Sequence, residues 1–275
     1  MISFPNCKIN LGLRILSRRA DGYHNLVSVF YPVPWCDALE FIRSSVFSFE
    51  SDGLKIDSVA EDNLCVKAYR LLQKLYALPP VKMMLLKNIP MGAGLGGGSA
   101  DGAFCLKMLN EYFELNLSDE VLKSHAMMLG SDCPFFMENK PMLVTGKGGQ
   151  LDSIAVDLEG YYLLVVYPEI AINTSWAFNE FAKSAINRDS RVSIREFTEQ
   201  LLQPVTTWKE FLVNDFEPMV EFHHPEIAGI RKQLYEKGAL IASMTGSGSA
   251  VFGIFKEQPE AMPSLRKYRS FSGKL

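Results

Sequence analysis

Hydrophobic residues recur along this chain at two spacings. From Lys8 the sequence alternates: Ile9, Leu11 and Leu13 are apolar, with Asn10 and Gly12 between them, which is the period of a strand. Residues 24–33 and 39–49 read as further strands. Over 63–76 the spacing turns helical, with Leu64, Ala68, Leu71, Leu72 and Leu75 at helical intervals, Asn63 in position to cap and Pro79-Pro80 beyond the end. Val81 to Lys87 predicts a short strand. Ala103, Leu106, Leu109 and Phe113 then mark one face of a helix. Another helix is expected from Ser118, with Asp119 and Glu120 in its first turn and Gly130 after its end. Further on, Tyr161 to Tyr167 predicts a buried strand, and helices are expected near 175–186, 193–202 and 225–237. Residues 239–255 read as strand, glycine turn and strand, and Lys267 to Leu275 is expected to fray. The pattern predicts an α+β protein. The glycine-rich loop Gly146-Lys-Gly-Gly149 is the expected boundary between two domains, 1–150 and 151–275.

Composition narrows the classes. In 275 residues, 48% are hydrophobic and 21% charged, enough for a sizeable core. A net charge of -3 gives no general electrostatic reason to bind nucleic acid, though a small anion needs only a local positive field. No apolar stretch reaches the length of a membrane span. The first eight residues lack the basic-then-apolar order of an export signal. The five cysteines, Cys7, Cys36, Cys65, Cys105 and Cys133, are scattered and form no Cys-x-x-Cys pair, so neither zinc nor a disulfide framework is expected. A reduced cytoplasmic setting is expected instead.

The stretch Ile89-Pro-Met-Gly-Ala-Gly-Leu-Gly-Gly-Gly-Ser-Ala100 places five glycines in seven positions between a predicted strand and a predicted helix. Backbone N–H groups freed of side chains there can converge on an anion, and the following helix adds a partial positive charge. Phosphate is the usual guest. A Walker loop is excluded, because Gly98 stands where its lysine belongs. The dinucleotide fingerprint is matched only formally, since no strand ending in an acid follows. The companion motifs of a protein kinase are absent.

Pro90 to Ala100 resembles the ATP-binding motif of the GHMP kinases, the superfamily of galactokinase and the homoserine, mevalonate and phosphomevalonate kinases. Thr245-Gly-Ser-Gly-Ser-Ala250 resembles that family's C-terminal glycine motif. Lys8-Ile-Asn-Leu11, followed by Arg18-Arg-Ala-Asp-Gly-Tyr-His24, and Gly130-Ser-Asp-Cys-Pro-Phe-Phe136 are narrower. They resemble the branch whose acceptor alcohol carries a cytidylyl group. The motifs stand in family order across nearly the whole chain. The resemblance implies a domain like the second domain of ribosomal protein S5, followed by a ferredoxin-like domain. It also implies ATP and Mg²⁺ as cofactors, and transfer of the γ-phosphate to a hydroxyl.

The same resemblance assigns roles. Lys8 and Asp132 match the catalytic lysine and base; from the residues alone, Asp132 before Pro134 reads as a helix cap. Pro90, Met91, Gly92, Ala93, Gly94, Leu95, Gly96, Gly97, Gly98, Ser99 and Ala100 would hold ATP, with Ser99 placed to touch phosphate or Mg²⁺. Asn63 matches a segment near the adenine, although capping alone also explains it. Tyr23, His24 and Phe178 would take the cytosine, two rings about the base and His24 on its edge. Phe178 also reads as a helix core residue, and His24 as a loop histidine. Asn10 and Thr174 are further substrate contacts. Asp101 receives no role, Gly102 reads as a weakening of its helix, and His223 and His224 read as surface or helix-entry residues. No metal-ligand set is evident. Two rivals remain: another small-molecule kinase of the family, such as a mevalonate-type enzyme, or a non-catalytic nucleotide-binding protein on the same fold.

Overall fold

The computed structural model describes residues 1–57, 59–183 and 192–275. In chain order the strands are β1 (Ile2–Ser3), β2 (Asn6–Arg18), β3 (His24–Cys36), β4 (Ala38–Arg43), β5 (Ser48–Gly53), β6 (Val81–Lys87), β7 (Met142–Gly146), β8 (Gln150–Ser153), β9 (Tyr162–Tyr167), β10 (Ile241–Met244), β11 (Val251–Phe255) and β12 (Arg269–Lys274). The helices are α1 (Leu64–Tyr76), α2 (Gly97–Tyr112), α3 (Asp119–Leu129), α4 (Phe135–Glu138), α5 (Thr174–Lys183), α6 (Ile194–Leu201), α7 (Glu217–His223) and α8 (Pro225–Glu236). The α+β reading holds. Residues 184–186 of the helix expected near 175–186 lie outside the described residues.

By its contacts the chain forms two compact units that interleave in sequence. One is 1–8, 34–91 and 96–140; the other is 9–33, 92–95 and 141–275. Gly146 to Gly149 is the turn of the antiparallel β7–β8 hairpin.

The first unit carries a sheet in the order β1-β4-β6-β5 and the helices α1 to α4. The stretch 39–49, expected as one strand, is two. The chain leaves β4 at Ser44, whose N–H donates to the Pro80 carbonyl at 3.0 Å, and β5 then runs parallel to β6 on its other side. Central β6 buries Val81, Met83, Leu85 and Lys87 in alternation, so a lysine ends its core-facing row. Asn63 caps α1 by accepting the Cys65 N–H at 2.9 Å. The buried face of α1 is Cys65, Val66, Ala68, Tyr69 and Leu72, and Leu75 is half exposed. Cysteine, valine and tyrosine pull the stripe round from the row of leucines. Gly102 has a packing reason: a Cβ there would lie 2.8 Å from the Leu64 Cβ, so the glycine lets α1 and α2 approach.

The second unit carries two sheets, β2-β3-β7-β8 and β10-β11-β9-β12, the latter wholly antiparallel. Its C-terminal segment does not fray. Ser270, Phe271 and Ser272 pair with Val166, Val165 and Leu164, an edge that polar alternation concealed. Ser193 and Glu196 form a reciprocal capping box on α6. Phe216, Val220, Ile227, Ile230 and Leu234 pack with Val166 and Val251 in one core.

Candidate active site

The first unit brings Lys8, Asp132 and the start of α2 together. Lys8 leaves β2 almost fully buried, and its Nζ lies 3.7 Å from Asp132 Oδ2. Burial pushes the Lys8 ammonium below its ordinary value, against the pull of Asp132. The Asp132 side chain is 30% exposed, so one side of the pair remains open to solvent. Asp132 does not cap α4: Pro134 holds that position, without a side-chain bond. The Ser131 hydroxyl donates to Asp132 Oδ1 at 3.4 Å instead. Gly96 precedes α2 at φ +70°, and a Cβ there would meet Lys8 Cε at 3.1 Å and Phe136 Cζ at 3.3 Å. The glycine run thus lies directly on the lysine stem. The Ser99 side chain bonds the Cys133 thiol, whose pKa burial pushes up to about 12. Asn63 serves as the α1 cap.

The glycine run has an order that its composition did not disclose. Ala93, Leu95 and Ala100 are buried, while Gly92, Gly94 and Gly96 all have positive φ. Alanine and leucine act as pegs, and the glycines between them turn the backbone. Pro90 is buried and Met91 exposed. Gly97 is closely packed, since a Cβ would lie 2.8 Å from Ile89 Cγ2. Gly98 has open space where its side chain would be.

In the second unit the first half of the run is tied to the Thr245–Ser249 turn. The Thr245 hydroxyl reaches the Gly94 carbonyl at 3.1 Å, and Ala250 N–H donates to the Ala93 carbonyl at 3.1 Å. A Cβ on Gly94 would collide with the Thr245 carbonyl, so only glycine fits. Asn10 belongs to this assembly. Its N–H donates to Thr245 Oγ1 at 2.9 Å and its Nδ2 to Ser28 Oγ at 2.9 Å, so its side chain is spent on architecture. Thr174 opens α5 and exchanges a hydrogen bond with Ser247 at 3.0 Å.

The aromatic pair that forms is His24 with Phe178, stacked at 5.3 Å between centroids and 12° between planes. Phe178 also meets the edge of Phe216 at 5.0 Å, which makes it part of the core as well. Tyr23 is 62% exposed, with Lys147 Nζ 4.8 Å from its ring centre. Burial, with Arg18 adding to it, lowers the His24 pKa and favours the neutral ring. His223 and His224 sit at the junction of α7 and α8.

Two groups of residues escaped the sequence reading. Asn214 is fully buried and donates to the carbonyls of Met244 and Gly246 at 2.8 and 2.9 Å. Glu217 accepts from Ser243 and from Met244 N–H, and Asp215 from Ile15 N–H. The signal available was three polar residues around one phenylalanine, Asn-Asp-Phe-Glu, ahead of a helical proline. The second group is Lys87 with Asp37 and Asp101. Lys87 Nζ donates to Asp101 at 2.8 Å and to Asp37, with all three buried.

The comparisons decide the family. The model of the GHMP kinase N-terminal domain matches residues 63–139, and that of the GHMP kinase C-terminal domain matches 198–268. The chain belongs to the GHMP kinases. It is accordingly a small-molecule kinase that uses ATP, on the α+β fold of that family. It is 48% identical over 263 residues to the 4-diphosphocytidyl-2-C-methyl-D-erythritol kinase of Bacteroides thetaiotaomicron, covering 94% of this chain and 93% of that one. A crystal structure of 4-(cytidine 5'-diphospho)-2C-methyl-D-erythritol kinase superposes with a TM-score of 0.78 at 26% identity, covering 99% of this chain and 98% of that one. Methanococcus jannaschii mevalonate kinase gives 0.75 at 16% identity, covering 99% and 97%, and at that identity shares the fold alone. Among the described residues no helix is long and apolar enough to cross a membrane.

Proposed function

We propose that the chain transfers the γ-phosphate of ATP to the 2-hydroxyl of 4-diphosphocytidyl-2-C-methyl-D-erythritol, a step of non-mevalonate isoprenoid synthesis. The observation that carries the mechanism is Lys8, buried, 3.7 Å from Asp132 and packed under Gly96. The acceptor oxygen attacks the γ-phosphorus, the bond from that phosphorus to the bridging oxygen of ADP breaks, and the hydroxyl proton passes to the Asp132 carboxylate. Lys8, a compact cation, stabilises charge on the attacking oxygen and on the transferring phosphoryl group. Pro90 to Ala100 forms the loop for the phosphates, and the open space at Gly98 suits a close approach. Asn63 acts on the nucleotide side through the helix it caps.

Neutral His24 offers one donor and one acceptor to the cytosine edge. Phe178 holds that ring by stacking, and Tyr23 supplies the exposed ring beside it. Asn10 and Thr174 act by holding the Thr245–Ser249 turn. Among the described residues no three His, Cys, Asp or Glu side chains converge as a metal cage. Asp132 and Ser99 are the oxygen-bearing protein groups that would be at hand for a Mg²⁺. When bound, the ion would neutralise phosphate charge. The modules 1–150 and 151–275 remain our division by ancestry, each containing one matched family domain. The five free cysteines favour a reduced cytoplasmic setting.

One coupled ADP-release assay tests the reading. The cytidylyl alcohol should support turnover where mevalonate and homoserine do not. Its uridylyl analogue should be weaker by about 1–3 kcal/mol in kcat/KM, because buried polar groups would face the wrong edge. His24→Ala should erase that preference, and Phe178→Ala should erode it by freeing the His24 ring. Turnover of mevalonate, or an unchanged preference in His24→Ala, would overturn the acceptor assignment.

A further inference from the structure

The buried cluster Lys87–Asp37–Asp101 takes no part in the chemistry described above, yet each of its contacts falls at an end of the glycine run. Lys87 is the last residue of β6, immediately before the run. Its ammonium reaches Asp101, in the second turn of α2, immediately after the run, at 2.8 Å. It also reaches Asp37, whose Oδ1 accepts the N–H groups of Asn88 at 2.5 Å and Ile89 at 2.7 Å, where the chain passes from β6 into the run. A Cβ on Gly97 would lie 3.1 Å from Lys87 Nζ, so the ammonium is pressed against the turn where α2 begins. Strand end, loop start and helix start therefore share one cation.

We propose that Lys87, Asp37 and Asp101 are positioning residues for the phosphate donor, fixing the two ends of the glycine run so that its N–H groups are aimed before ATP arrives. This rests on the reading of that run as the ATP loop. A run with so many glycines cannot fix its own path, because each glycine brings conformational freedom that binding would have to remove. A hydrogen-bonded ammonium between two carboxylates is a short, directional tie. Two features separate it from ordinary core packing. Apolar residues would fill the same volume without the cost of burying three ionisable groups. And the three side chains meet where β6 ends, at Asn88 and Ile89, and at the start of α2. Burial is the larger cause raising the Asp101 pKa; Lys87 pulls against it, and the Asp37 carboxyl lies close enough to raise it further. The thiols of Cys7, Cys36 and Cys65 feel these charges; burial raises the first two, and the hydrogen bond with Cys105, then burial, raises Cys65.

The test uses the full chain and the fluorescent nucleotide mant-ATP, with steady-state KM measured beside it. Asp101→Ala cuts the tie to α2 and leaves Lys87 paired with Asp37, so no buried charge is stranded. It should weaken mant-ATP and raise KM for ATP by about tenfold or more, with KM for the acceptor alcohol unchanged. Asp101→Asn, which keeps an acceptor for Lys87, should restore most of the affinity. Lys87→Arg keeps the charge but alters the spacing, and should raise KM for ATP in a folded protein. All are compared at a temperature where circular dichroism reports full folding. Unchanged ATP affinity in Asp101→Ala and Lys87→Arg, or equal losses for ATP and alcohol, would overturn the proposal while leaving the ATP loop standing. Failure of the wild-type chain to bind mant-ATP would overturn the loop reading and the clamp with it.

Discussion

Two lysines in one unit meet aspartates in opposite ways. Lys8 faces Asp132 at 3.7 Å, with the carboxylate 30% exposed. Lys87 lies between Asp37 and Asp101 with every side chain at most 3% exposed. Burial depresses the Lys8 ammonium, whereas at Lys87 the same penalty is overcome by Asp101 and Asp37, and its value rises. The first pair is loose and accessible on one side, so charge is available to a third party. The second is closed on itself. Lysine and aspartate thus carry no role by type: the geometry of the unspent side separates a pair that a ligand can reach from one that is closed to it.

The sharpest way to break the comparison is at Asp132. Asp132→Asn should lower kcat by about 10²–10⁴-fold, the usual worth of a general base, with melting temperature nearly unchanged. Near-normal turnover would move Asp132 out of the chemistry. The mirror experiment is on the lysines. Lys87→Met strands two buried carboxylates and should cost about 3–5 kcal/mol in urea unfolding, while Lys8→Met, beside a solvated partner, should stay within about 1 kcal/mol. Equal stability losses would erase the distinction.

The smallest effect is in pH. Burial pushes the Asp101 carboxyl up to about 7 from its ordinary 3.8; Lys87 opposes this and Asp37 adds to it. The folded chain therefore keeps a proton that the unfolded chain has released, and stability contributed by that proton is full below pH 3.8 and lost as pH rises to about 7. Wild type should lose more melting temperature between pH 5 and 8 than Asp101→Asn does. Other titrating groups cancel in that difference; parallel profiles would show the proton is not held there.

The sequence made local structure legible where one residue decides it. Asn63 caps α1, Ser118 accepts the Val121 N–H at the start of α3, and glycines mark the loop. The candidate pair Lys8–Asp132 came from resemblance, not from periodicity, because its members are far apart in the chain. Lys87, Asp37 and Asp101 were illegible for the same reason: a lysine at the end of a strand and an aspartate in a helix look solvated until the fold turns both inward. Phe178 was assigned a base to stack on; the spacing did not disclose its protein neighbours, His24 stacked at 5.3 Å and Phe216 edge-on at 5.0 Å. Spacing reports which face a side chain is on; it does not report which neighbour arrives there first.

The peg-and-glycine order of the loop also separates two kinds of glycine. At Gly94 the fold itself forbids a side chain, since the Thr245 carbonyl occupies the place. Among the described residues outside α2 nothing lies within 4 Å of a Cβ placed on Gly98, which is inside α2 with a φ that is not positive. Alanine there would add up to about 1 kcal/mol of helix stability. One methyl group therefore asks two different questions four residues apart: at Gly94 it interrogates the fold, and at Gly98, where the fold has room for it, it interrogates only what the loop would hold.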